Sequence, residues 1–153
     1  MKTSGLFVAL AFALAFQVFA AVAVQSATGA PVESIAQLAD RKAADRGHIA
    51  GEIARCASST SGRAVLLEHI PDLIPFLKDE EDVVRYWVAI ALGHIGAPAI
   101  DAVPALIVAL DERVDTEATK SSESGIRFAL DRIDPDWRSR PDVSARIKER
   151  WPK

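Results

Sequence analysis

The sequence predicts an all-α protein, a short stack of about three antiparallel helix pairs closed by a C-terminal capping helix. Three observations carry this. The text restarts: Leu73-Ile74-Pro75-Phe76-Leu77 is answered by Ala102-Val103-Pro104-Ala105-Leu106, 29 residues later. A fixed period of roughly 20–50 residues is the mark of a stacked repeat architecture. Apolar residues also recur at helical spacing, as in Val84, Val88, Ala91 and Ile95. And no stretch alternates with the period of two that a half-buried strand requires.

The elements follow in order. Residues 5–24 carry no charge, Lys2 precedes them, and Glu33 is the first acidic residue. A basic residue, an apolar run and then small residues describe a secretory signal peptide. Ala21-Val22-Ala23 places the cleavage after Ala23, so residues 1–23 are read as the signal and 24–32 as a loose mature terminus. The alternative is an uncleaved membrane anchor over 5–24, since about 20 apolar residues span a bilayer. The folded domain is read as 33–153. Ile35, Leu38 and Ala39, then Ile49, Ile53 and Cys56, mark two helices joined near Gly47. Ser58 to Gly62 reads as a break, and Arg63 to His69 as a short helix.

The best-defined repeats span 70–96 and 97–134. Pro71 suits the first turn of a helix whose inner face is Leu73, Ile74 and Leu77, and Pro75 should kink it. Acids at 79–82 favour the start of the next helix, whose stripe Val84, Val88, Ala91 and Ile95 is widened by Trp87 and Leu92 and ends at Gly96. Pro98 opens a helix with Ile100, Val103, Leu106, Ile107 and Leu110 facing inward. A polar insertion near 115–124 precedes the stripe Ile126, Ala129, Leu130 and Ile133, which Asp134-Pro135 stops. Residues 142–151 form a short amphipathic tail with Arg146, Lys148, Glu149 and Arg150 outward.

Val84-Arg85, Ala89, Ala91-Leu92-Gly93, Ile95-Gly96, then Pro98-Ala99, Ala102, Pro104, Leu106 and Leu110, resemble the HEAT repeats of the short bilin-lyase type. The likeness is specific over 71–111, weaker over 123–134 and not visible before residue 60. It implies a right-handed α-solenoid whose second helices line the partner-facing side. It also implies an acid for Arg85, for which Asp79 or Glu81 is placed. In the next repeat the Arg85 position holds Glu123, and Gly93 and Gly96 give way to Asp131 and Asp134, so the pairing ladder is expected to stop after one rung. Two repeats are too few to bury their faces, so residues 33–69 must supply a third, degenerate unit.

Composition sets further bounds. The chain has 153 residues, half of them hydrophobic and a quarter charged, enough for one globular domain. The net charge of −3 does not describe a nucleic-acid binder, which would show a basic face. Cys56 is the single cysteine, so no internal disulfide forms, and a buried thiol is the expected state. His48, Glu52 and Cys56 stand four residues apart on one helix face, but i to i+8 spans about 12 Å of rise, too far for one ion. Glu68-His69 and His94 lack the repeated His-Glu pairs of the HEAT-like di-iron hydroxylase. Attachment of bilins would be cytosolic and conflicts with export. The expectation is therefore no catalytic residue, no metal and no cofactor, with a HEAT-like oxidoreductase or lyase as the alternative. The expected activity is binding of a protein, without nucleic acid, and with a membrane only if the N-terminal segment stays uncleaved. Arg85, Tyr86, Arg127 and Arg132 on the second helices are the candidate partner residues, since Trp, Tyr and Arg dominate binding hot spots. Trp87 is expected to fill the gap between repeats, and Trp137 and Trp151 to pin the tail.

Overall fold

The computed structural model describes residues 31–42, 45–112 and 120–151, and among them every regular element is helical. Residues 31–39 form α1. Then come α2 (Arg46–Ser58), α3 (Thr60–Leu66), α4 (Ile70–Leu73), α5 (Asp82–Ile95), α6 (Val103–Asp111), α7 (Lys120–Ile133) and α8 (Ala145–Arg150). Tighter 3-10 segments occupy Leu67–His69, Ile74–Lys78, Ala97–Ala102 and Trp137–Ser139. The signal segment and residues 115–119 of the insertion lie outside the described residues, while 120–124 of the insertion belong to the first turns of α7.

The elements form two layers. α2 packs on α5 and α5 on α7, while the broken run α3–α4 with its 3-10 extension, and then α6, form the second layer. α1 faces Pro71, Pro75 and Phe76 across a shallow groove. One core runs between the layers, from Leu38 and Ile53 through Leu73, Leu77, Val88 and Leu92 to Leu106, Leu110, Leu130 and Trp137. Each helix pair alone would leave its apolar stripe wet, so stacking itself supplies the stability.

Small residues set how closely the second helices approach. A side chain at Gly93 would stand 2.6 Å from the Phe128 ring and 3.0 Å from the Ala129 backbone, and one at Gly125 would stand 2.9 Å from Tyr86. The two glycines thus let α5 and α7 lock reciprocally, an aromatic ring from each over the glycine of the other. Between α2 and α5 the close approach is at Gly47, where a side chain would stand 2.7 Å from Val83, whereas one at Gly51 would make an ordinary 3.6 Å contact with Trp87. Gly47, read above as a joint, lies inside α2; the chain breaks earlier, over residues 40–45. The expected break at 58–62 narrows to Ser59, which caps α3 by accepting from the Gly62 N–H.

Pro75 does disrupt its helix, which tightens into the 3-10 segment Ile74–Lys78, because proline removes the N–H that an α-helical bond needs. Pro98, however, starts a 3-10 segment, and α6 begins only at Val103. Three residues per turn shift the phase of the stripe. Ile100 is consequently 45% exposed, where an inward position was expected, while Val103, Leu106, Ile107 and Leu110 are buried.

Polar links cross the corners of the stack. Arg46, only 4% exposed, is bidentate to Asp79 (2.9 and 2.6 Å), reaches Glu81 at 2.9 Å and donates twice to the Leu38 carbonyl. Asp79 and Glu81 were expected to serve Arg85. Arg85 instead donates to the Asp79 and Glu80 carbonyls and to the Asp82 carboxylate. The Ser122 hydroxyl, buried in α7, donates to that same carboxylate. The ladder therefore does not stop after one rung: it runs from α1 to α7, with serine making the last link.

The departures at 123, 131 and 134 build the end cap. Asp131 accepts from the Trp137 indole at 2.7 Å and from Arg138 at 2.8 Å, and Asp134 accepts from Arg140 at 3.3 Å. Glu123 takes Arg150 of α8 at 3.3 Å. Ser144 caps α8 and donates to Asp111, which also accepts from Arg146 at 3.1 Å. Trp137 and Ile147 are fully buried beneath these links. Glycine is required at 93 because another helix lies on it; at the equivalent residue 131 the segment holding Trp137 and Arg138 is the neighbour, and an acid that binds that segment takes its place.

Candidate interaction surface

The four candidate residues do not converge. Arg85 is 4% exposed and its guanidinium is held by the helix corner, so it lies inside the stack rather than on a binding face. Tyr86 is half-buried over Gly125, with its ring edge to that of Trp87 at 4.9 Å between centroids. Arg127 lies 5.4 Å over the Trp151 ring and 4.0 Å from Glu123, at the cap. Arg132 is exposed at the far end of α7, 5.8 Å over Phe128.

A groove of about 430 Å³ opens instead between α2 and α5. Its floor is Gly51, Trp87 and Ile90; His48, Glu52, Arg55 and Ser58 rise from α2, and His94 closes one end. Past His48 it continues into a second, more polar depression lined by Asp45, Glu81 and Val83, the last 43% exposed. The floor exists because α5 is apolar on two sides. Val84, Val88, Ala91 and Ile95 face the core, while Trp87, Ile90 and His94, spaced three and four apart, form a row toward α2. Gly51 leaves the groove its depth by presenting no side chain to Trp87. That second row was legible in the sequence as an i, i+3, i+7 set, but its α2 wall comes from residues some 35 positions away and could not be paired with it by spacing. Trp87, assigned above to the gap between repeats, does stand between α2 and α5, yet it keeps an accessible face.

The chemistry of the groove is that of a contact surface. Glu52 is paired with Arg55 on the rim. Burial, and then the charges of Arg132 and Arg63, push the His94 imidazole below its ordinary value, so it is largely neutral at pH 7. Its ring meets Phe128 edge-on at 5.5 Å. His69 pairs with Asp72 at 3.0 Å within its own helix turn. Cys56 is half-buried and burial raises its thiol above the usual value, which disfavours the reactive thiolate. Among the described residues no three His, Cys, Asp or Glu side chains gather as a metal-binding set, and no helix is long and apolar enough to cross a membrane.

Searches among curated proteins and solved structures give no match to this chain. A family model for HEAT repeats matches residues 32–127. The match begins at α1, and so includes the helix pair α1–α2 in which no repeat motif is visible. Its range spans the three second helices down to Arg127, the same helices that approach closely at Gly47, Gly93 and Gly125. By that match and by its stacked helix pairs, the chain belongs to the HEAT repeat family, whose members commonly serve as protein-interaction or scaffold modules.

Proposed function

We propose that this chain is an exported, non-catalytic scaffold module that binds a partner protein along the α2–α5–α7 face, with the α2–α5 groove at its centre. The observation that carries the reading is the Trp87–Ile90 floor, a large aromatic and an aliphatic side chain held open to solvent between two rigid helices. Buried aromatic anchors surrounded by a polar rim dominate the energetics of protein interfaces. Truncating such an anchor costs about 2 kcal/mol or more, a loss of at least tenfold in affinity. Affinity capture with the wild type and Trp87→Ala, each checked for folding by far-UV circular dichroism, is expected to recover a partner protein only with the wild type. Equal recovery by both would remove the groove from the reading. Stoichiometric bound iron or zinc in the purified protein would favour the HEAT-like enzyme alternative.

Export is the second part of the proposal and is supported by Lys2, the uncharged run 5–24 and the Ala21-Val22-Ala23 site. The expected mature N-terminus is Val24, read by intact mass and N-terminal sequencing of protein from the exported fraction. A chain that begins at Met1 and stays with the membrane would replace this with the anchored form.

A further inference from the structure

We propose that the His94 end of the α2–α5 groove recognises an acidic, apolar segment of a partner protein: a large apolar side chain seats on Trp87 and Ile90, and neighbouring carboxylates are taken up by Arg63 and Arg132. The inference rests on the reading of this face as protein-binding, and it adds the chemistry of the partner.

The chain is acidic overall, with a net charge of −3, and among the described residues most guanidiniums are paired in place. Arg41, Arg46, Arg55, Arg85, Arg127, Arg138, Arg140, Arg146 and Arg150 each have a carboxylate within 4.0 Å. Among the described arginines, Arg63 and Arg132 are the exceptions. They come from different elements, α3 and α7, yet both bear on one residue, His94, whose imidazole each charge disfavours in its protonated form. Arg63 also has a buried Nε without a hydrogen-bond partner. Arg132 rests over Phe128, whose ring in turn meets His94 edge-on, which places the arginine near the end of the groove.

Two like charges left unpaired beside a half-buried imidazole cost stability, and a bound anion relieves that cost. The two cations reach the apolar floor through His94, which lines the same groove as Trp87 and Ile90. A ligand that satisfies both must carry apolar surface and a carboxylate a few ångströms apart, as adjacent side chains of a peptide do. The remaining rim charges, Glu52 and Arg55, satisfy each other and add no net preference.

The test is to pan a displayed library of random short peptides on the purified protein, then measure the enriched peptides by fluorescence polarisation. Enriched sequences are expected to place Asp or Glu beside a large apolar residue. Arg132→Glu is expected to weaken them about tenfold or more, raised salt to weaken them further, and Trp87→Ala to abolish binding. Arg132 is exposed, so its charge reversal leaves the core intact; Arg63→Glu, at a half-buried position, serves as the second variant when its thermal melting stays cooperative. Peptides without an acidic bias that ignore Arg132→Glu but are lost in Trp87→Ala would overturn this inference and leave the binding face standing. No enrichment, or peptides indifferent to Trp87→Ala, would overturn both. Phosphatidylserine vesicles that displace the peptides with the same dependence on Arg132 would assign the cations to a membrane surface and likewise overturn it.

Discussion

Asp79→Ala is expected to destabilise the protein by about 3–5 kcal/mol, the cost of leaving a buried charge without its partner. Arg46 is 4% exposed and its bidentate partner is Asp79; Glu81, the remaining carboxylate, is half-exposed and holds one nitrogen. With a denaturant slope of about 2 kcal/mol per molar urea, the midpoint should fall by about 2 M at unchanged slope. Against a total stability of roughly 5–15 kcal/mol this is a large fraction. A double-mutant cycle with Arg46→Met separates the pair from the packing around it: the second substitution should recover part of the loss, because the stranded ion is gone. Acid gives an independent reading. Burial pushes the Asp79 carboxyl up, but the hydrogen bonds from Arg46 and the Glu81 N–H, with the nearby charges of Arg46 and Arg41, outweigh it and hold it below the usual carboxylate range. A depressed folded-state value means the stabilisation is complete above the unfolded value of about 3.9 and is lost as pH falls through the folded one. The gap between wild type and Asp79→Asn should therefore narrow below about pH 4. A midpoint change under about 0.5 M, or a gap that does not depend on pH, would mean that Arg46 finds water and that the rung is ornamental.

What the sequence shows of this fold depends on whether a residue's reason is local. α5 is legible because Val84, Val88, Ala91 and Ile95 repeat a helical stripe and Gly96, at φ 79°, ends it. α2 is less so. Its inward residues are largely alanines, Ala50, Ala54 and Ala57 around Ile53, and its glycines look like breaks until α5 is laid against them. Arg46 opens a helix and resembles an ordinary exposed cation; its partners stand 33 and 35 positions away. The same holds for the candidate surface. Residue type alone points to arginine and tyrosine, but the stack takes Arg85 inward and lays Tyr86 on Gly125, whereas the groove arises from juxtaposing two helices. The substitutions at 123, 131 and 134 look like decay when compared with the repeat before them. Compared with the chain after them, they are the sockets for Arg150, Trp137, Arg138 and Arg140.

That second comparison sets the other large effect. Trp137→Ala is expected to cost about 3–5 kcal/mol, the range for deleting a buried aromatic, because the indole is fully buried and fills the end of the core under α7. It also strips Asp131 of its 2.7 Å indole donor. In a stacked array each unit contacts only its neighbours, so the damage should be graded along the chain. Amide hydrogen exchange by mass spectrometry is the measurement that resolves this. Protection in α7 and α8 should fall first and furthest, with α5 less affected and α2 least, since α2 and α7 each make their main helix contact with α5. Trp137→Phe separates volume from the hydrogen bond: it keeps most of the packing, and its loss should be smaller, about 1–2 kcal/mol. A uniform rise in exchange from α2 to α8 would show one cooperative unit instead of a capped stack. Unchanged protection in α7 would mean that 137–151 decorates the array rather than closing it, and the acids at 131 and 134 would then need another reason.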